Sequence, residues 1–464
     1  MLLQSFRSIL AYLALLAAVL SLLPGMALVG AVAVGLAVLL GCDGRENSNR
    51  AQWCYQPFED LIQAAVLLGW QDMRRVPRVV FSVAVLALVF ALGRDPRLIV
   101  DAANNMTRLA GLVLAVMLLS NVLGRSGDLQ RISASLFGGK PLTRYLSLAF
   151  GTSLVSIPLN FGSVAVVGSL VGERIRRGGD SAATRNATRA VLRGFGVSPT
   201  FSPLSISVVL TLTLLPDLGS IELLSLAIPF SVVLILMGLF WRDPETGQEE
   251  VAPSDKAGMA SWLRFGGLVL AICVGVFVLS HRFELSYAYA VTLSCLGAVV
   301  GARLLAWSRR QNPPMANMAN VSNELAIVGG SAFIGSVISG VVLGQISGNA
   351  DLPAWSWPIL AACVPWVYFL AGLGGVNPIV VGTLVGGVLG SLWPAEALIG
   401  LGIAMVTGWG ITAFGTPFAA NALIMERLTG YRAVDASFRW SLTLSLSGLT
   451  LASLTACILT AWLA

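Results

Sequence analysis

The side chains of this chain best suited to holding a ligand are uncharged, and they sit among residues that oppose helix. Ser198, Thr200 and Ser202 lie in GFGVSPTFSP at 194–203, and Thr412 and Thr416 lie in GWGITAFGTP at 408–417. Asn160, Gly162 and Ser163 lie in IPLNFGSVA, and Asn377 lies in AGLGGVNPIV. Proline in a helix interior removes a donor and clashes with the preceding turn, at a cost of about 3 kcal/mol or more. The first two segments therefore read as discontinuous helices, broken between Gly194 and Pro203 and between Gly408 and Pro417. At such a break the second half-helix offers free N–H groups and a positive dipole end, which suit a carboxylate, and the first offers carbonyls, which suit a cation. The hydroxyls and amides would complete either shell, and Asn160, Ser163, Asn377 and the backbone of Gly196 and Gly410 are the candidate cation ligands. The breaks and the centres of the two asparagine-bearing stretches hold no Asp, Glu, Lys, Arg or His. Carboxylate-based proton coupling inside the site is not expected.

Composition places these segments in a membrane, where freed backbone has to line a cavity or be covered by protein. With 56% hydrophobic residues, 11% charged and a mean hydropathy of +0.82 over 464 residues, the chain reads as an all-α polytopic membrane protein. Apolar runs of about 18 residues recur along it, unlike the short alternating segments of a membrane barrel. The net charge of +6 does not point to nucleic acid, because the arginines fall between the apolar runs on alternate sides.

Eleven spans are expected, at 9–23, 26–41, 78–93, 107–124, 187–216, 221–241, 262–280, 285–305, 321–346, 397–426 and 435–463. An apolar run after Arg7 mimics a signal peptide, but the second run follows at once, so the two read as a helical hairpin that stays in the membrane. The stretches 142–172 and 357–390 would each make a helix of about 45 Å, too long for a hydrocarbon layer of about 30 Å. Their polar, glycine-bearing centres make them re-entrant hairpins. A further interfacial helix is expected at 57–70.

The chain also repeats itself at an offset of 214 residues, which carries Gly194 to Gly408. The same offset lays VVGSLVG at 166–172 on VVGTLVG at 380–386, identical at six of seven positions, and Ser163 on Asn377. Hairpin, broken segment and following span thus align without a gap, which marks a duplicated unit. The expected organisation is 1–77 for the N-terminal helices and interfacial segment, 78–241 for the first repeat, 242–284 for a linker with one span, and 285–464 for the second repeat. Five crossings from the start of the first copy to the start of the second turn the second upside down, the inverted plan of secondary transporters. The arginine-rich segments make the N-terminus cytoplasmic and the C-terminus external, in an inner (plasma) membrane, with the first hairpin entering from inside.

Cys273, Cys295, Cys363 and Cys457 are expected as small core residues, and Cys42 and Cys54 as free thiols. His281 falls in an external turn. Arg193 directly precedes the first break and could meet an anion on the cytoplasmic side. A single histidine, with neither HExxH nor GxSxG, does not suit an enzyme. A channel would use the same hairpins as a filter.

A hairpin plus a broken helix, duplicated and inverted, resembles the ion transporter superfamily, most of all its divalent anion/sodium symporter branch. GTPFAANA at 415–422 is similar to that branch's Thr-Pro-Pro-Asn-type turn and carries over Thr416, Pro417 and Asn421 as substrate ligands. SPTFSP at 198–203 is its weaker partner, carrying Ser202 and Pro203. Neither hairpin has the branch's Ser-Asn-Thr tip. The resemblance implies a secondary active transporter for a small organic anion, a carboxylate, coupled to a cation gradient and working as an elevator. It implies sodium as the coupling ion, membrane lipid as surroundings and a homodimer. The alternative within the superfamily is a sodium/proton antiporter or inorganic oxyanion exporter.

Overall fold

In the computed structural model the described residues are 75–124, 126–245, 258–310, 322–346 and 352–463, with Tyr12, Leu13, Leu15, Leu16 and Val19 further back. The second expected span, most of the first, the interfacial helix at 57–70 and both Cys42 and Cys54 lie outside them. Among the described residues there is no strand, and ten helices are long and apolar enough to cross a membrane. The chain is a polytopic helical membrane protein.

The helices are α1 (Arg75–Arg94), α2 (Arg97–Leu123), α3 (Gly127–Ser135), α4 (Pro141–Leu159), α5 (Phe161–Gly178), α6 (Ala182–Phe201), α7 (Ile206–Leu214) and α8 (Ser220–Met237). They continue with α9 (Met259–Arg282), α10 (Tyr287–Ser308), α11 (Ser322–Ile346), α12 (Ser356–Leu373), α13 (Pro378–Leu389), α14 (Leu398–Gly415), α15 (Ala420–Thr429) and α16 (Leu442–Leu463). Nine of the ten apolar helices fall on expected spans. The tenth is α12, apolar enough to span on its own but folded back against α13 as a hairpin arm. α2 begins at Arg97 rather than near 107, because its first turns carry Asp101, Asn104 and Asn105, which hydropathy alone excludes.

These helices form two compact units. In the first, Met1–Leu118 with Val299–Gln345, α1, most of α2 and α11 enclose a small core of Ala91, Ala102, Phe333 and Val337. Asn105 donates to Ser336 Oγ at 3.0 Å across it. Val79, Leu86, Val89 and Phe90 of α1 are exposed, an apolar face suited to lipid.

The second unit, Leu119–Ala298 with Ile346–Ala464, contains both hairpins and both broken helices. Its elements obey the 214-residue offset: α6 and α14 end at Phe201 and Gly415, and α7 and α15 begin at Ile206 and Ala420. The reason is local. The residue before a proline is pushed out of the helical region into an extended one. Ser202 before Pro203 has ψ 123°, and Thr416 before Pro417 has ψ 143°. Both helices end at that residue. The breaks thus fall at the proline ends of the expected 194–203 and 408–417, and the expectation that the earlier residues also interrupt the helix is corrected: Gly194, Gly196, Pro199, Gly408 and Gly410 all lie inside continuous helix.

The glycines serve packing instead. Gly194 faces the Ala149 carbonyl of α4, and a Cβ on Gly408 would lie 2.8 Å from Pro365 of α12, so the first glycine of each motif seats the broken helix on its own hairpin. The second glycines meet each other: a Cβ on Gly410 would lie 3.0 Å from the Gly196 carbonyl, and one on Gly196 would lie 2.5 Å from Phe414 Cβ. Thr200, the equivalent of Phe414, packs on Gly410 in turn. Contacts that pair 196 with 414 and 200 with 410 require α6 and α14 to cross antiparallel, centred on equivalent residues. The duplicated helices thus run in opposite directions, as an inverted pair must.

The repeated VVG(S/T)LVG motif has the same logic. Gly172 on α5 receives Leu428 of α15, and Gly386 on α13 receives its equivalent, Leu214 of α7, 2.7 Å from a would-be Cβ. Each hairpin's second arm is packed against the other copy's half-helix.

Asp128, in the first turn of α3, anchors α9: Arg264 donates to both carboxylate oxygens at 2.7 and 2.9 Å and Ser261 donates at 2.8 Å. The Arg264 and Ser261 hydrogen bonds hold this carboxyl below the usual carboxylate range. A depressed folded pKa gives a contribution that is complete above the unfolded pKa near 4 and lost as pH falls through the folded value. The thermal midpoint of the wild-type protein is expected to drop more between pH 5 and pH 3 than that of Asp128→Asn; equal slopes would show that the anchor adds nothing.

Of the cysteines, only Cys295 is fully buried among the described residues; Cys363 is exposed on α12, a correction to its expected core place. His281 is in the last helical turn of α9 rather than in a loop, stacked on Phe277 with ring centroids 6.4 Å apart.

Candidate functional site

Two hairpin tips and two helix breaks make up the candidate site, and each is built differently. At the first tip Asn160 takes φ 49° and ψ −128°, a positive φ that is uncommon for a residue with a Cβ, and this reverses the chain between α4 and α5. Its carbonyl accepts the Ser163 N–H at 3.1 Å and the Ser163 hydroxyl at 2.7 Å. Ser163 Oγ lies 2.6 Å from Ser156 Oγ, and Ser120 Oγ donates to the Leu159 carbonyl at 3.0 Å beside Gly162. Asn160 and Ser163 are thus brought together in an oxygen-lined cluster, the donor type that hard cations take.

The second tip is more open. Gly374, Gly375 and Val376 are exposed, Gly375 has φ 76°, and Asn377 caps α13, its Oδ1 accepting the Ile379 N–H at 2.9 Å. A Cβ on Gly372 would lie 3.2 Å from Thr416 Cγ2, so this tip rests on the second break.

Each break leaves a carbonyl without its helical donor, because Pro203 and Pro417 have no N–H for residues 199 and 413. Both carbonyls are satisfied by side chains. Ser205 Oγ donates to the Pro199 carbonyl at 3.0 Å, and Asn421 Nδ2 donates to the Ala413 carbonyl at 2.9 Å. Asn421, buried and on α15, is therefore a closure of the second break. Ser205 is the residue that sequence reasoning missed; its signal was a serine directly before the apolar run ISVVL, the position of an N-cap.

The remaining hydroxyls divide by copy. Thr412 donates to Gly408 at 2.7 Å and Thr416 to Thr412 at 2.8 Å, both bonding their own helix. Thr200 reaches the Val406 carbonyl of α14 at 3.3 Å, and Ser202 Oγ accepts the Leu204 N–H at 3.4 Å. Ser198 is buried inside α6, and its carbonyl accepts the Ser202 N–H. Gly196 and Gly410 are at the helix crossing, not at a break.

The two breaks are not equivalent. The first turn of α7 is capped by Ser205, whose hydroxyl accepts the Val208 N–H at 3.2 Å. That of α15 follows Ala419 at the N-cap position and has no side-chain cap, and the neighbouring Phe418 is 60% exposed where its equivalent Leu204 is 2% exposed. Pro417, half-buried, sits between this open turn and Thr416. An uncapped helix start carries unpaired N–H groups and the positive end of the helix dipole.

Arg193 does not meet an anion at the break, which corrects its sequence reading. It is two turns before the end of α6 and 1% exposed, and its guanidinium donates to the Gly238 and Trp440 carbonyls at 2.9 and 3.0 Å, to Trp241, to Tyr145 Oη at 3.0 Å and to Ser441.

No protein-family model matches the chain, and no curated protein matches it either. A crystal structure of the YdaH transporter of Alcanivorax borkumensis is similar with a TM-score of 0.47 and 18% sequence identity, over 77% of this chain and 86% of that one.

Proposed function

We propose that this chain is a secondary active transporter that moves a small organic anion, a carboxylate, across the inner (plasma) membrane, driven by a cation gradient. The observation that carries the reading is the pair of equivalently broken helices crossing antiparallel, with the half-helix after the first break capped by Ser205 and the half-helix after the second left without a side-chain cap. The start of α15 takes the carboxylate, and Thr416, Pro417 and the second tip around Asn377 surround it. Sodium, held by the oxygen cluster at Asn160 and Ser163, is the coupling ion. The hairpins and broken helices move together as an elevator within a homodimer whose N-terminus is cytoplasmic and C-terminus external.

The test is thermal unfolding in detergent with mono-, di- and tricarboxylates and inorganic oxyanions, each with sodium or with choline. A ligand that binds the native state at about 100 times its dissociation constant adds about 2.7 kcal/mol. A carboxylate shift that needs sodium is the expected result. Sodium or oxyanion shifts without any carboxylate effect would replace this reading with the antiporter or exporter.

Ala419→Asp sharpens the test. An aspartate at the N-cap should stabilise α15 by about 1 kcal/mol, because it accepts an orphan N–H, yet it places a negative charge where the carboxylate binds. The unliganded midpoint is expected to rise while the carboxylate shift disappears. Retention of the full shift would remove α15 from the site.

A further inference from the structure

In the first unit, α2 carries an ionisable group at membrane depth that the hairpins and breaks do not use. The helix is Arg97–Leu123, 27 residues, and is one of those apolar enough to cross a membrane. At 1.5 Å per residue it is about 40 Å long, so a hydrocarbon layer of about 30 Å leaves about 5 Å over at each end. Arg108 lies about 16 Å along the axis from Arg97, and so about 11 Å inside that layer. A guanidinium at such depth is costly, and residues of this kind face protein or water rather than lipid.

Arg108 is the deep end of a stripe. Arg97, Asp101, Asn104 and Arg108 are spaced by four, three and four residues, which places them on one face of α2. A different face packs on α11: Ala102 and Leu109 are buried, Leu98 reaches Gly340, and Asn105 reaches Ser336. Along the stripe, exposure falls with depth. Arg97 and Asp101 are exposed, Asn104 and Arg108 are half-buried, and Gly111 and Ala115, next on the same face, are buried. That gradient is the profile of a wall open at the Arg97 end and closed below Arg108. The stripe's single acid, Asp101, is two turns nearer the open end, about 10 Å from Arg108 along the axis. The innermost charge is therefore positive, and its planar fork suits a carboxylate, which it can take with two parallel hydrogen bonds.

We propose that this stripe lines a water-filled path by which a small carboxylate enters the membrane from the Arg97 end, and that Arg108 receives it at depth. The anion's passage rests on the transport reading; the water does not.

Cysteine labelling in proteoliposomes tests the water without any transport assay. Asn104→Cys on the stripe is compared with Leu86→Cys on α1, a site 67% exposed on an apolar face suited to lipid. The reagents are membrane-impermeant methanethiosulfonates, one anionic (sulfonatoethyl) and one cationic (trimethylammonioethyl), and added labels are counted by mass against the wild-type chain. They need a hydrated thiolate, so Asn104→Cys is expected to react about tenfold faster or more than Leu86→Cys. Equal rates would show that protein or lipid covers the stripe, and the path would fall. Adding Arg108→Gln to Asn104→Cys should lower the ratio of anionic to cationic rates by about threefold or more, because one helical turn separates the two positions. Arg108→Lys keeps the charge and should keep the ratio. A ratio unmoved by Arg108→Gln would end the anion-receiving role, since Asp101 or another group would then cancel the charge. Uptake of radiolabelled acetate, succinate and citrate reads the consequence. For the anion taken up, Arg108→Gln should raise KM about fivefold or more with a smaller change in maximal rate, and an unmoved KM would take Arg108 out of the path. If the wild-type protein takes up none of the three, the transport reading and the anion's passage fall together, while labelling still decides the water.

Discussion

Gly194→Ala is expected to be among the most damaging single-atom additions to this protein, with a loss of about 3 kcal/mol or more, the upper end for overpacking a close-packed core. The new methyl would point at the Ala149 carbonyl and lie 2.9 and 3.0 Å from its carbonyl carbon and Cα. All three atoms are backbone of α4, so no rotamer change relieves the clash. Either α4 or the broken helix α6 must shift, and both carry site elements. The matched control is Gly267→Ala on α9, where a Cβ would meet nothing within 4 Å. There the change should stabilise the helix by up to about 1 kcal/mol through propensity alone. Thermal midpoints of the two variants in the same detergent should move in opposite directions. If both moved alike, the close approach of α4 and α6 would not be what demands the glycine.

Arg193→Met should cost at least as much. The methionine fills a similar volume, but it leaves the Gly238, Trp241 and Trp440 carbonyls without their donor in a buried place. Each orphaned acceptor costs about 1–3 kcal/mol, so a total loss of about 4 kcal/mol or more is expected. These carbonyls belong to the end of α8 and to the turns before α16, so the variant should loosen both from α6. Arg193→Lys keeps the charge but supplies three donors from one nitrogen rather than a planar fork. It should recover part of the loss. Full recovery by lysine would show that charge rather than the fork holds these helix ends.

Much of this architecture is legible in the residues. Hydropathy marks the crossings, since a helix in hydrocarbon has few ways to hide polar groups. The excessive length of 142–172 and 357–390 marks the hairpins. The offset of 214 residues survives in the fold nearly residue for residue, because proline fixes the end of a helix through its own covalent geometry and needs no distant partner. Pro203 and Pro417 act in this way. Gly194, Gly196, Gly408 and Gly410 do not: a glycine signals a break and a close approach alike, and only the neighbour distinguishes them. That neighbour is 45 residues away for Gly194 and Ala149, and further for Gly196 and Phe414.

By itself, then, the sequence determined a helical membrane protein with two hairpins and two proline-ended helices in duplicate, because hydropathy, chain length and proline sterics are properties of neighbours along the chain. Only the tertiary structure decided that Ser205 and Asn421 close the breaks, that α15 alone of the two half-helices starts uncapped, and that Arg193 is enclosed by carbonyls of α8 and the chain before α16. These are contacts of hydrogen-bonding groups across helices, and the direction in which a buried donor spends its bonds depends on which acceptor the packing brings within about 3 Å.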